Sequence, residues 1–209
     1  LSDAIAVAPA IDLLAKNTIT IGVMARLDRS KGLDYAVKAI KNLEKFSSEK
    51  NQKFTLKLAG KGEQEAHLQR LVKDLALENS VEFLGWVENK REFFDSIDIF
   101  CIPSRRETFG LVLLEAMKYR KPIISTDADG PKEFLRGGID ALLVSLNPPC
   151  NVEDRIAQAV IRMVSEPNLA KKMIENSFVR LNEKFSYQSL EKSLQEVVGR
   201  APIPNIPRF

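Results

Sequence analysis

The chain predicts an α/β fold in which a parallel sheet carries helices on both faces. Two observations lead there. Short apolar, β-branched runs alternate with longer amphipathic segments six or seven times along the 209 residues. The polar and glycine-bearing loops each follow the end of an apolar run, and in such sheets ligands bind at the C-terminal strand ends.

The elements follow in order. TITIGVMARL, from Thr18, suits a buried strand. DRSKG leads into a helix whose apolar face is Leu33, Ala36, Val37, Ile40 and Leu43, with Ser30 as the expected N-cap. FTLKLAG alternates as a strand and precedes a helix with Leu68, Leu71, Val72 and Leu75 on one face. Its turn, Gly60-Lys61-Gly62, lacks the third glycine of a dinucleotide fingerprint, because Glu65 stands there. It also lacks the Ser or Thr of a phosphate-binding P-loop. His67, the only histidine, falls on the polar face and reads as solvated. VEFLGWV is the next strand and turn, where Trp86 either packs partly buried or stacks on a ligand. A short helix, NKREFFDS, returns the chain to a fully apolar strand, IDIFCIP.

The stretch that follows, SRRETFGLVLLEAMKYR, organises the rest. A polar loop carrying Glu107 opens a short helix near Gly110, with Leu111, Leu114 and Met117 expected to pack on the sheet and Glu115 on the helix. A helix opening at the C-terminal edge of a parallel sheet offers free amides and a partial positive charge, a site for phosphate. PIIST is the next strand, and an Asp129-Gly130-Pro131-Lys132-Glu133 loop follows it. After Asn147-Pro148-Pro149 come helices over 152–165, 169–185 and 188–198, the first with Val152, Ile156, Val160 and Met163 inward. The last nine residues hold three prolines and read as a flexible tail.

Composition narrows the class. With 44% apolar and 28% charged residues, the chain can bury one well-packed domain, with room for two small ones. A net charge of +3 without a dense Lys/Arg block argues against nucleic acid as a partner. Cys101 and Cys150 make neither a metal-ligand spacing nor a disulfide framework, which fits a reducing compartment. No apolar run reaches membrane-spanning length, no signal peptide is visible, and no internal repeat is found. The chain opens on Leu1, so a preceding segment is expected.

Pro103-Ser104, Glu107, Phe109-Gly110 and Leu114-Glu115-Ala116-Met117 resemble the E-x7-E signature of family-four retaining glycosyltransferases. Arg26 and Lys31 sit at the basic positions of that family's G-R-L-x-x-x-K-G motif, with Ala25 for its first glycine. The Gly60-Lys61-Gly62 turn, the Val81–Val87 stretch, the Asp129–Glu133 loop and Phe185-Ser186-Tyr187 resemble further family elements. Val7-Ala8-Pro9-Ala10-Ile11-Asp12 is similar to the family's exit from its N-terminal domain, without the usual Asn and Gly. Arg120 replaces a usual glycine, and Pro122 is expected to stop the helix instead.

The resemblance spans roughly 18–198 and implies the C-terminal, donor-binding half of a GT-B fold, Rossmann-like, with 1–17 a linker remnant and 199–209 a tail. It implies transfer of a hexosyl-type sugar from a nucleoside-diphosphate sugar to a glycan or lipid-linked acceptor with retention, as in lipopolysaccharide or surface polysaccharide synthesis. Arg26, Lys31 and the amides at Gly110 and Leu111 would stabilise the leaving diphosphate in the place a metal holds elsewhere, so no metal or other cofactor is expected. Asp127-Ala128-Asp129 is spelled like a D-x-D metal motif but aligns with the family's D-x-G loop. Glu115 would accept from the ribose hydroxyls and Glu107 from the donor sugar's hydroxyls. Phe109 would line the donor site, and Val87 would touch the base through its backbone. The catalytic set is therefore Glu107, Arg26 and Lys31, with the leaving phosphate taking the acceptor's proton. The expected partner is a missing N-terminal acceptor domain, and the 209-residue chain alone would be inactive. The expected location is the cytoplasm, with any contact to the inner membrane face peripheral and made through that domain. The alternatives are a non-catalytic nucleotide-sugar-binding module or split-gene remnant and, third, a sugar-nucleotide epimerase, whose carboxylates and histidine cannot be placed.

Overall fold

A computed structural model of the chain describes residues 13–50, 52–148, 151–185 and 189. The Val7–Asp12 motif, Cys150, the Pro-rich tail and nearly all of the expected last helix lie outside them. Six parallel strands form one sheet in the order β3-β2-β1-β4-β5-β6. They are β1 (Thr18–Met24), β2 (Lys53–Ala59), β3 (Val81–Gly85), β4 (Ile99–Ile102), β5 (Ile123–Thr126) and β6 (Leu142–Val144). The helices are α1 (Leu33–Lys50), α2 (Glu65–Asp74), α3 (Lys90–Asp95), α4 (Leu111–Lys118), α5 (Asp129–Phe134), α6 (Val152–Ser165) and α7 (Pro167–Phe185).

The central strands β4 and β5 are buried throughout because both of their faces are covered, whereas β2 alternates and β3, at the sheet edge, is largely unburied. Ile99 and Cys101 of β4 join one core layer with α1, α2 and α6, and Phe100 and Ile102 join the opposite layer with α3 and α4. α7 begins beside α6 and ends against α4, so Met173 lies in the first layer and Phe185 borders the second. Phe94 anchors the second layer, stacked on Tyr119 at 4.8 Å and tilted against Phe100 at 5.3 Å. Cys101 is fully enclosed and its thiol is pushed up to about 12 by burial, so it acts as a small hydrophobe. The body extends ahead of β1, where Leu13 is buried and the Gln52 amide donates to the Leu13 and Lys16 carbonyls.

Four local expectations are corrected. Ser30 does not cap α1: it lies in a 3-10 turn, Arg29–Lys31, that Asp28 caps, and α1 starts after Gly32. Of the face expected for α4, Met117 is buried and Leu114 packs partly buried on the second core layer, but Leu113 and Ala116 fill the place expected of Leu111, which is 66% exposed. The Asp129–Glu133 loop is helical, as α5. α4 does end in a left-handed residue, and it is Arg120 at φ 52°. The Arg120 amide donates to Met117 and the Lys121 amide to Ala116, a Schellman closure. The Arg120 guanidinium lies 3.7 Å from the centre of the Phe178 ring on α7, a contact that compensates for the strained backbone.

Candidate functional site

The sheet order reverses between β1 and β4, and the loops leaving those two strands diverge to open a crevice, the usual ligand position in such a sheet. The β1 loop carries Arg26 and Lys31, and the β4 loop carries Glu107, Phe109 and Gly110. Backbone hydrogen bonds tie the two loops: the amides of Arg105 and Arg106 both donate to the Ser30 carbonyl, at 2.8 and 3.1 Å. Gly32, at φ 62°, is placed so that a Cβ would lie 2.0 Å from the Pro103 carbonyl oxygen, so only glycine permits this approach. The β4 loop is held from its other side as well. Thr126 Oγ1 donates to the Ser104 carbonyl at 2.6 Å, and the Gly130 amide donates to the Glu107 carbonyl at 2.8 Å. A Cβ on Gly130 would come within 2.6 Å of that same oxygen.

Arg105 fastens the assembly. Its guanidinium makes paired 2.7 Å hydrogen bonds to both Asp34 oxygens, a third to the Arg29 carbonyl, and lies over the Tyr35 ring at 4.0 Å. Burial pushes the Asp34 carboxyl up, but the Arg105 hydrogen bonds and charge outweigh it and leave Asp34 below the usual carboxylate range. Asp28 behaves alike: burial raises it, and hydrogen bonds from Ser30 and Arg26 bring it down.

The cleft between the loops has a volume of about 340 Å³ and is lined by Met24, Arg26, Lys31, Glu107, Phe109 and Leu111, among others. Six of the eight site residues read from the sequence, Gly110 included, thus meet in one place. Lys31 Nζ donates to Glu107 Oε2 at 2.8 Å, with the two side chains 22% and 11% exposed. Arg26 is 76% exposed and turned onto Asp28 at 2.7 Å. Gly110, at φ 73°, turns the chain into α4, whose first amides open at the cleft. The Phe109 ring is seated edge-on against Phe134 at 4.4 Å.

Glu115 and Val87 lie outside that cleft. Glu115 is one turn beyond Leu111 on α4 and is paired with Lys90 of α3. Val87 follows the left-handed Gly85 and borders the second core layer, while its neighbour Trp86 is 70% exposed and does not pack. His67 is exposed, as its register predicts. It borders a second hollow of about 370 Å³ on the far side of the Asp28–Lys31 turn. There Asp34 and Arg105 are committed to each other and Asp28 to Ser30 and Arg26. Sequence reasoning missed Arg105 and Lys90, since in a chain with 31 Lys and Arg neither carries a distinguishing local pattern.

Among the described residues no group of three or more His, Cys, Asp or Glu is placed to hold a metal ion. Nor is any described helix long and apolar enough to cross a membrane.

A parallel sheet in this order, with a cationic cleft and a helix N-terminus at its switch point, defines a Rossmann-like domain of the kind that makes up half of a GT-B glycosyltransferase. The chain belongs to the family of glycosyl transferases group 1, whose model matches residues 8–180. It is 28% identical over 145 residues to the lipopolysaccharide core biosynthesis glycosyltransferase LpsE of Rhizobium meliloti, covering 69% of this chain and 42% of that protein. Across four such curated relatives the chain spans 42% to 52% of their length. In fold it is similar to Anabaena HepE, solved with UDP-glucose, at a TM-score of 0.75 and 22% identity, over 88% of this chain and 50% of that one. It is also similar to the C-terminal domain of the group 1 protein LpcC from Francisella tularensis, at a TM-score of 0.68 and 23% identity, over 81% and 87% of the two chains.

Proposed function

We propose that this chain is the donor-binding, C-terminal half of a family-four retaining glycosyltransferase. It would take a hexosyl-type sugar from a nucleoside-diphosphate sugar and pass it to a glycan or lipid-linked acceptor in surface polysaccharide or lipopolysaccharide synthesis. The observation that carries the reading is the meeting of Arg26, Lys31, Glu107 and the opening of α4 in one cleft at the switch point. Support also comes from relatives named as lipopolysaccharide core glycosyltransferases and from a fold neighbour solved with UDP-glucose. The likeness to an isolated C-terminal domain supports the placement. In this reading 18–198 is the donor domain, 1–17 the linker, whose Leu13–Lys16 end packs onto that domain, and 199–209 a tail. The enzyme works in the cytoplasm, with an N-terminal acceptor domain making any membrane contact.

The chemistry follows from charge. Departure of a nucleoside diphosphate leaves negative charge on phosphate oxygens, and preorganised cations and amides stabilise it without reorganising. Lys31, Arg26 and the amides at Gly110 and Leu111 take that role. Glu107 faces the sugar hydroxyls, Glu115 the ribose, Phe109 lines the donor site and the Val87 backbone meets the base. The acceptor is deprotonated by the leaving phosphate, and no metal is required.

The test is reconstitution. Alone, the 209 residues bind donor and transfer nothing, since losing acceptor positioning forfeits about 7–11 kcal/mol of barrier reduction. Supplying the N-terminal domain, in cis or in trans, restores transfer with a chelator present. Glu107→Gln then spares the plain diphosphate and loses the extra affinity of the nucleotide sugar, whereas Glu115→Gln weakens both. Robust transfer by the chain alone, or a manganese requirement once the partner is present, refutes the reading.

A further inference from the structure

We infer that Lys90 is a positioning residue that holds the Glu115 carboxylate for the donor ribose and thereby sets the preference for a nucleotide bearing its ribose hydroxyls. This rests on the ribose role proposed for Glu115. The contact itself is direct: Lys90 Nζ donates to Glu115 Oε1, joining the first turn of α3 to the middle of α4 across 25 residues of sequence. Among the described residues Oε2 has no donor, so it remains available to accept from a hydroxyl.

Local structure gives Lys90 no other reason to be there. Asn89 caps α3 by accepting from the Glu92 amide, so Lys90 is the first helical residue, where a cation opposes the helix dipole. Its neighbour Arg91 finds a partner inside the same helix, Asp95 one turn on, whereas Lys90 reaches out to another element. Glu115 likewise passes over a cation on its own helix: Lys118 is three residues away and lies over the Tyr119 ring at 6.0 Å. With side chains 50% and 27% exposed, the pair adds little to folding stability, and its effect is to restrict where the carboxylate points.

The placement matches the task. Leu111 and Glu115 are one turn apart on the α4 face turned away from Leu113, Ala116 and Met117, and Leu111 lines the diphosphate cleft. Glu115 therefore lies one turn, about 5.4 Å along the helix, beyond the residue that lines the cleft. Lys90 stands three residues after Val87, the proposed base contact. Lys90 thus links the turn assigned to the base with the helix assigned to the ribose.

The test compares the affinity ratio for two ligands: UDP or GDP, whichever the chain binds more tightly, and its 2′,3′-dideoxy analogue, titrated calorimetrically. The wild-type chain favours the ribonucleotide by about tenfold or more, as expected for a hydrogen bond to a charged group. Lys90→Met moves that ratio at least about threefold toward the Glu115→Gln value, with little change for the dideoxy ligand, and Lys90→Arg restores most of it. Unchanged melting of Lys90→Met separates this from a folding defect. A wild-type ratio in Lys90→Met overturns the inference. So does an equal loss for both ligands, which would make Lys90 a simple attractor of anions. If Glu115→Gln itself keeps the wild-type ratio, the ribose role of Glu115 fails and the inference falls with it, while the phosphate contacts of Lys31 stand.

Discussion

Arg26 and Lys31 occupy equivalent-looking positions in the sequence, yet the structure gives them unequal surroundings, so the proposed diphosphate role predicts unequal contributions to binding. Lys31 is 22% exposed and held 2.8 Å from Glu107, which is 11% exposed. Arg26 is 76% exposed and already engaged by Asp28. A hydrogen bond between charged groups in a sheltered site contributes about 1.5–3 kcal/mol, while an exposed ion pair contributes about 0.2–1 kcal/mol. Lys31→Ala also leaves Glu107 uncompensated against an anionic ligand. At about 6 Å and an effective dielectric of about 20, that repulsion adds about 3 kcal/mol before relaxation. Titration calorimetry with UDP or GDP at low salt should therefore show Lys31→Ala weakening binding by about 100-fold or more, and Arg26→Ala by about fivefold or less. Adding Glu107→Gln to Lys31→Ala removes the stranded charge and recovers about 10- to 100-fold, the upper end being the unrelaxed repulsion. If Arg26→Ala costs as much as Lys31→Ala, or if the double variant binds no better than Lys31→Ala, the ion pair does not govern the site.

Two further predictions concern the scaffold. Asp34 is held below its unfolded value of about 3.9 by Arg105, so the pair stabilises fully above about pH 4 and that share is lost as pH falls through the lower folded value. In urea titrations, wild type should exceed Arg105→Met in stability at about pH 6, with the gap narrowing toward about pH 3; a gap independent of pH would refute the coupling. Ala76 closes α2 in the left-handed region at φ 55° and is exposed, so Ala76→Gly relieves about 1–2 kcal/mol of strain against about 0.4–1 kcal/mol of added unfolded-state entropy. The melting temperature should rise by about 2 °C. Arg120→Gly gains the same relief but loses the Phe178 contact, about 0.5–1 kcal/mol, and should leave stability near wild type. A lower melting point for Ala76→Gly would show that the αL position carries no strain.

The sequence alone determined the α/β class and most element positions, because strands buried on both faces must be apolar throughout and their helices apolar on one side. It also marked Arg26, Lys31, Glu107 and the Phe109–Leu111 turn, because the motifs through which the chain resembles family-four glycosyltransferases are short local stretches. The sequence could not choose a face for Leu111–Leu114, where every neighbour is apolar; the sheet chose Leu113 because Ala116 and Met117 pack beside it. Nor could it foresee that Arg120 would take the conformation expected of a glycine, because the ring that makes it tolerable lies 58 positions later, at Phe178. The strand order, and with it the crevice between β1 and β4, came from the tertiary structure alone. The same holds for the pairs that set the site's electrostatics, Lys31 with Glu107, Arg105 with Asp34 and Lys90 with Glu115. Each joins segments far apart in the chain, and a charge acquires its partner, its burial and hence its strength only when folding brings those segments within a few ångströms.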